Sequence, residues 1–60
     1  MKRIKVLLVD DEEEICKGLK LCLEETGKFD VLTATTGIMG LYLAKTRRPD
    51  IILLDLLPNQ

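Results

Sequence analysis

The sequence predicts an α/β fold: a parallel three-stranded sheet in the order 2-1-3, with helices on both faces. Three observations carry that expectation. Residues 4–9 and 51–54 are near-continuous runs of β-branched residues and leucine, the composition of strands covered on both sides. Between them, residues 12–26 and 37–46 carry helical spacing and cap signals, separated by a short apolar run at 31–34. The connections are short, so each helix returns the chain to the same end of the sheet and the strands pair in parallel.

Each element follows from local chemistry. The first strand, 4–9, ends at two acids, Asp10 and Asp11. Asp11 followed three residues later by Glu14 has the form of a capping box, and acids in a first turn suit the positive end of the helix dipole. Ile15, Leu19, Cys22 and Leu23 then repeat as one apolar stripe, which assigns Glu13, Lys17, Lys20 and Glu24 to water. Gly27 closes this helix. The second strand is 31–34, Thr36 caps a second helix that runs to about residue 46, and Lys45, Arg47 and Arg48 suit its C-terminus. Pro49 and Asp50 lead into the third strand, 51–54.

Composition narrows the functions. The 60 residues are read as one partial domain, and a chain of this size hides only about 60% of its unfolded surface, so its stability needs help. A disulfide does not supply it: Cys16 and Cys22 lie on one helix about 9 Å apart by the helical rise. Free thiols fit a reducing cytoplasmic setting. The opening MKRIKVLLVDD has only four consecutive apolar residues before its aspartates, too few for a signal sequence or membrane span. Ten acids against nine bases, one Phe, one Tyr and no Trp offer neither basic stripe nor stacking platform, so no nucleic-acid partner is expected. Gly37 and Gly40 do not form a phosphate loop, and without histidine the cysteines lack a zinc pattern.

The chemistry lies at the strand ends. In a parallel sheet these share one edge, so Asp10 and Asp11 after strand one are expected beside Asp55 after strand three, where the strand order switches sides. Three carboxylates in one crevice repel unless a hard divalent cation takes oxygen ligands from them, and magnesium, or manganese, is the natural ion. The plainer readings are a strand end and helix cap for Asp10 and Asp11, and a turn acid before Pro58 for Asp55.

VLLVDDE at 6–12, TGIMGLYLA at 36–44 and PDIILLDLLP at 49–58 resemble the receiver domain of bacterial two-component response regulators over the whole chain. The resemblance implies the first half of a flavodoxin-like, doubly wound fold. It implies that Asp55 accepts a phosphoryl group from a histidine kinase or phosphotransfer protein, that Asp11 holds magnesium directly and Asp10 through water, and that the Leu57 carbonyl is a further ligand. Two departures accompany it. Pro58 follows Asp55 by three positions, whereas the family pattern D-x-x-M-P places it at four. The hydroxyl residue and the lysine that the family uses beside the phosphoryl group have no counterpart, since all six lysines precede Asp55.

The expected function is thus a signalling module, phosphorylated at Asp55, with a weak magnesium site and impaired transfer; it is not an enzyme beyond self-phosphorylation from a donor. The alternative is a self-associating half-domain without phosphotransfer. A phosphohydrolase of the haloacid-dehalogenase type is discounted because Asp10-Asp11-Glu12 lacks its two aspartates one residue apart. The all-apolar third strand lies at an open edge, which predicts a homo-oligomer formed by two third strands pairing antiparallel. Ile38, Met39 and Tyr42 stand where the family's second helix is usually polar, while Leu41 and Ala44 supply its core-facing pair; the outer apolar patch suggests a second contact surface, the alternative being that it folds back against the connection to the third strand.

Overall fold

A computed structural model describes residues 2–55. Its elements are β1 (Ile4–Asp10), α1 (Glu13–Glu25), β2 (Phe29–Ala34), α2 (Gly37–Arg47) and β3 (Ile51–Asp55). The strands form one parallel sheet in the order β2-β1-β3, as the crossover rule requires. The pattern placed every element; β2 begins two residues earlier than expected, and β1 and β3 each gain the aspartate that follows them.

The alternation of β1 divides the core into two layers. Val6 and Leu8 face α1 and pack with Cys16 and Val31, backed by Leu23 and Phe29. Leu7 and Val9 face α2 and pack with Ala34, backed by Leu32, Leu43 and Ala44. Successive strand residues point to opposite faces, so one uninterrupted apolar run serves both helices.

The helices differ from expectation in rotation. α1 does not bury the stripe Ile15, Leu19, Cys22 and Leu23: Cys16 is buried, Lys20, Leu23 and Glu24 are half-buried, and Ile15, Leu19 and Cys22 are exposed. The cause is polar. The Cys16 thiol donates to the Asp10 carbonyl at 3.4 Å, while Lys20 and Glu24, expected in water, bond to the backbone of Val31. Nor is Asp11 the helix cap, because the capping position is Glu12 and its side chain makes no cap bond. Asp10 holds the turn that leads into the helix, its carboxylate accepting from the Glu12 N–H at 2.9 Å. Gly27 does close α1, at φ 77°, a conformation glycine adopts without Cβ strain.

Thr36 caps α2 as expected, its hydroxyl accepting from the Met39 N–H at 3.1 Å, and Arg48 ends the helix in the left-handed region, φ 50°. Leu41 was expected to face the core with Ala44, yet it is exposed. α2 is seated on Gly40, where a Cβ would lie 2.8 Å from Val9 Cγ2, so its buried line is Gly40, Leu43 and Ala44 and Leu41 turns aside. Ile38, Met39 and Tyr42 remain outside the core, with Ile38 86% exposed.

Both helices rest on β1 and β2, and β3 is exposed along its length. Ile51, Ile52, Leu53 and Leu54 are each between 41% and 69% exposed. Covering the exposed half of four such side chains would contribute about 3–6 kcal/mol at 1.5–3 kcal/mol per fully buried side chain.

Candidate functional site: the acidic end of the sheet

Alignment of β3 on β1 brings the acids together. Asp50 and Lys5 exchange two bonds: the Asp50 N–H donates to the Lys5 carbonyl at 2.8 Å, and the Asp50 carboxylate accepts from the Lys5 N–H at 2.9 Å. From that anchor the strands run in step, Val6 beside Ile51 through Val9 beside Leu54, and Asp10 finishes beside Asp55. Neighbouring strands lie about 4.8 Å apart, so the two aspartates leave the sheet as adjacent groups.

Their surroundings differ. Asp10 is 2% exposed, and its bond from the Glu12 N–H fixes one carboxylate oxygen. Asp55 and Asp11 are exposed, Asp11 lying in the bend between β1 and α1. Among the described residues the only cation-carboxylate pairs are Arg3 with Asp30 and Lys20 with Glu24, both away from this end. Also among them, no three acidic, cysteine or histidine side chains are gathered closely enough to hold a metal. The structure thus brings Asp10 and Asp55 into register, with Asp11 next to Asp10. Leu57, expected to add a carbonyl, lies outside the described residues, as does Pro58.

The donor set fits magnesium in kind. Carboxylate oxygens are the hard ligands this ion takes, and it keeps several waters, so a few convergent acids suffice. Asp10, buried with no cation beside it among the described residues, is the group such an ion would most offset. Cys16, under the same strand end, is no competing nucleophile: burial pushes its thiol up, and the charges of Asp10, Glu13 and Asp11 add to that more than the bond to the Asp10 carbonyl relieves.

Sequence reasoning missed Lys20, Glu24 and Asp50. Lys20 and Glu24 are four apart on one helix face, a visible signal, but the apolar stripe had assigned that face to water. Asp50 read only as part of the lead into the third strand, although its bonds to Lys5 anchor the start of the register that carries Asp55 to Asp10.

No described helix is long and apolar enough to cross a membrane. An open depression of about 350 Å³, lined in part by Lys5, Asp30, Arg47 and Pro49, lies at the other end of the sheet and has no share in the acidic site.

Comparison with known proteins identifies the family. The family model of the response regulator receiver domain matches residues 6–59. The alkaline phosphatase synthesis transcriptional regulatory protein PhoP of Bacillus subtilis is 47% identical over 53 residues, covering 88% of this chain and 22% of that protein. The KDP operon transcriptional regulatory protein KdpE of Escherichia coli is 47% identical over 51 residues, covering 85% of this chain and 22% of that protein. Protein-glutamate methylesterase/protein-glutamine glutaminase 3 of Rhodospirillum rubrum is 42% identical over 52 residues, covering 87% of this chain and 14% of that protein. The chain therefore spans about a fifth of the transcriptional regulators it matches. No solved structure gives a significant match.

Proposed function

The chain belongs to the response regulator receiver domain family of two-component signalling, and on that premise we propose that Asp55 accepts a phosphoryl group beside a magnesium site held by Asp10 and Asp11. The observation that carries this reading is the pairing of Asp10 with Asp55 at the end of adjacent parallel strands. One Asp55 oxygen attacks phosphorus, the bond from phosphorus to the donor's nitrogen or oxygen breaks with its electrons leaving on the donor, and the product is an aspartyl phosphate. A bound magnesium or manganese ion would offset the charge of the two anions as they approach. Asp10 and Asp11 would hold it, with Asp55 as a further ligand, and its affinity would be weak. The protein side of the chemistry is positioning: β3 presents Asp55 to solvent while the Glu12 N–H holds Asp10 in place.

The donor is a histidine kinase or phosphotransfer protein, or a small acyl phosphate in its place, and the setting is cytoplasmic. Within these 60 residues transfer is slow, because no lysine follows Asp55 to stabilise the transferred group. The isolated segment is a homo-oligomer associated through the outer edge of β3, whose five residues are all exposed.

Incubation with acetyl phosphate and magnesium, followed by intact mass, tests the proposal. The expected result is one phosphoryl group on part of the chain and none on Asp55→Asn. An adduct that persists in Asp55→Asn, or that forms equally with the metal chelated, refutes it.

A further inference from the structure

β2 pairs with β1 on one side only, and the middle of its other side is already occupied. The Ile4 N–H bonds the Lys28 carbonyl, so by strand alternation Lys28, Asp30, Leu32 and Ala34 turn their backbone groups to β1. Phe29, Val31 and Thr33 turn theirs outward. Among the described residues no backbone group bonds the outward N–H groups of Phe29 and Thr33. Val31 between them is different: its N–H donates to Glu24 Oε2 at 3.1 Å, and its carbonyl accepts from Lys20 Nζ at 2.7 Å. Lys20 also bonds Glu24 at 3.3 Å, so the two side chains close a ring with Val31.

Lys20 and Glu24 are four apart on α1 and so stand one above the other on the helix surface. Together they bring one acceptor and one donor to a single outward residue, which is what a neighbouring strand would bring. Charged side chains near an edge discourage strand addition by their hydration; here they are also bonded to the backbone groups that a new strand would need.

The edge they cover is otherwise suited to pairing. Phe29 backs the α1 layer of the core and Leu32 the α2 layer, both half-buried, so a strand laid against β2 would extend both layers. The outward set is also self-complementary. A two-fold axis through Val31 sets Val31 against itself and Phe29 against Thr33 of a second copy, antiparallel, and satisfies the outward N–H and C=O of all three. Such a copy must first displace Lys20 and Glu24 from the residue on the axis.

We infer that Lys20 and Glu24 lock the β2 edge: they take the place of a neighbouring strand at Val31, keep β2 an outermost strand, and bar it from pairing with the β2 of a second copy. The lock is built from α1 and β2 alone and is independent of the phosphoryl chemistry proposed above.

Amide exchange and light scattering of the 60-residue chain, at one protein concentration throughout, test it. In the wild-type chain the Val31 amide is expected to exchange about 10–100-fold more slowly than those of Phe29 and Thr33, the factor that a bond to a charged group carries. Lys20→Ala with Glu24→Ala is expected to raise the mass to at least twice the wild-type value and to slow the Phe29 and Thr33 amides to the level of Val31. Lys20→Met with Glu24→Gln is read in the same way if the alanine pair fails to fold. Adding Thr33→Pro removes an outward N–H without touching the ladder to β1, a change an edge strand tolerates, and is expected to restore the wild-type mass. Glu13→Ala with Lys17→Ala makes the same charge change at exposed positions of the same helix and is expected to alter neither readout. Phe29 and Thr33 as protected as Val31 in the wild-type chain would show a strand already seated there and refute the closed edge. A folded double variant of wild-type mass refutes the lock, as does growth that the Glu13 and Lys17 control shares, and growth that survives Thr33→Pro refutes the β2 pairing.

Discussion

Replacing Gly40 by alanine tests how α2 is held against the strand that carries Asp10. A Cβ at this position would lie 2.8 Å from Val9 Cγ2 and 3.2 Å from Cγ1, where ordinary contact begins at 3.4 Å. Something must give by about 0.6 Å, the difference between the first and last of these distances. Val9 cannot readily do so, because it is β-branched, buried, and packed among Leu7, Ala34, Leu43 and Ala44. Overpacking of this kind costs about 1–3 kcal/mol. Alanine returns about 1 kcal/mol in helix propensity, leaving a net destabilisation of about 1 kcal/mol. Gly18→Ala is the internal control, since its Cβ meets nothing within 4 Å, and it should stabilise by about 1 kcal/mol. Urea melts at one protein concentration, so that association is held constant, should therefore separate the two variants by about 2 kcal/mol. If Gly40→Ala is as stabilising as Gly18→Ala, α2 is not seated on Val9 and the placement of the α2 layer is wrong.

Other outcomes follow from the same contacts. Gly27→Ala forces a Cβ into the left-handed region and should destabilise by about 1–2 kcal/mol, and Arg48→Gly should stabilise by up to about 1 kcal/mol, both read by thermal melts. The Glu24 carboxyl is held below its usual range, first by the Val31 N–H and then by Lys20. Its contribution is complete above the ordinary glutamate pKa of about 4.3 and is lost as pH falls through the lower folded value. Protection of the Val31 amide should decline over that acidic window, and Glu24→Gln should remove the dependence. Iodoacetamide near neutral pH should alkylate exposed Cys22 and spare Cys16, whose thiol is buried and raised, with both modified in denaturant.

The fold was legible because its signals were long-range and redundant. Runs such as Val6 to Val9 have no wet alternation, and short links leave only parallel pairing, so strand order and both layers followed. Helix rotation was not legible. α1 offered a plausible apolar stripe through Ile15 and Leu19, but the strand edge recruited Lys20 and Glu24 for its backbone groups, and the small Cys16 fitted closest to the sheet. On α2 a missing side chain, Gly40, marked the contact point, and hydrophobicity alone favoured Leu41. At the site, topology placed Asp10 beside Asp55, yet the exact register came from Asp50, whose bonds to Lys5 no pattern announces.

The proposal that Asp10, Asp11 and Asp55 share one cation is tested most directly by paramagnetic broadening of amide signals with Mn²⁺. The account predicts saturable broadening confined to Asp10, Asp11 and Asp55 and their immediate neighbours, with the amides of Lys5, Asp30 and Asp50 at the opposite end of the sheet untouched. Asp11→Asn and Asp55→Asn should each abolish it. Broadening centred on Asp30 or Asp50, or broadening at the acidic end that survives Asp55→Asn, would contradict the account.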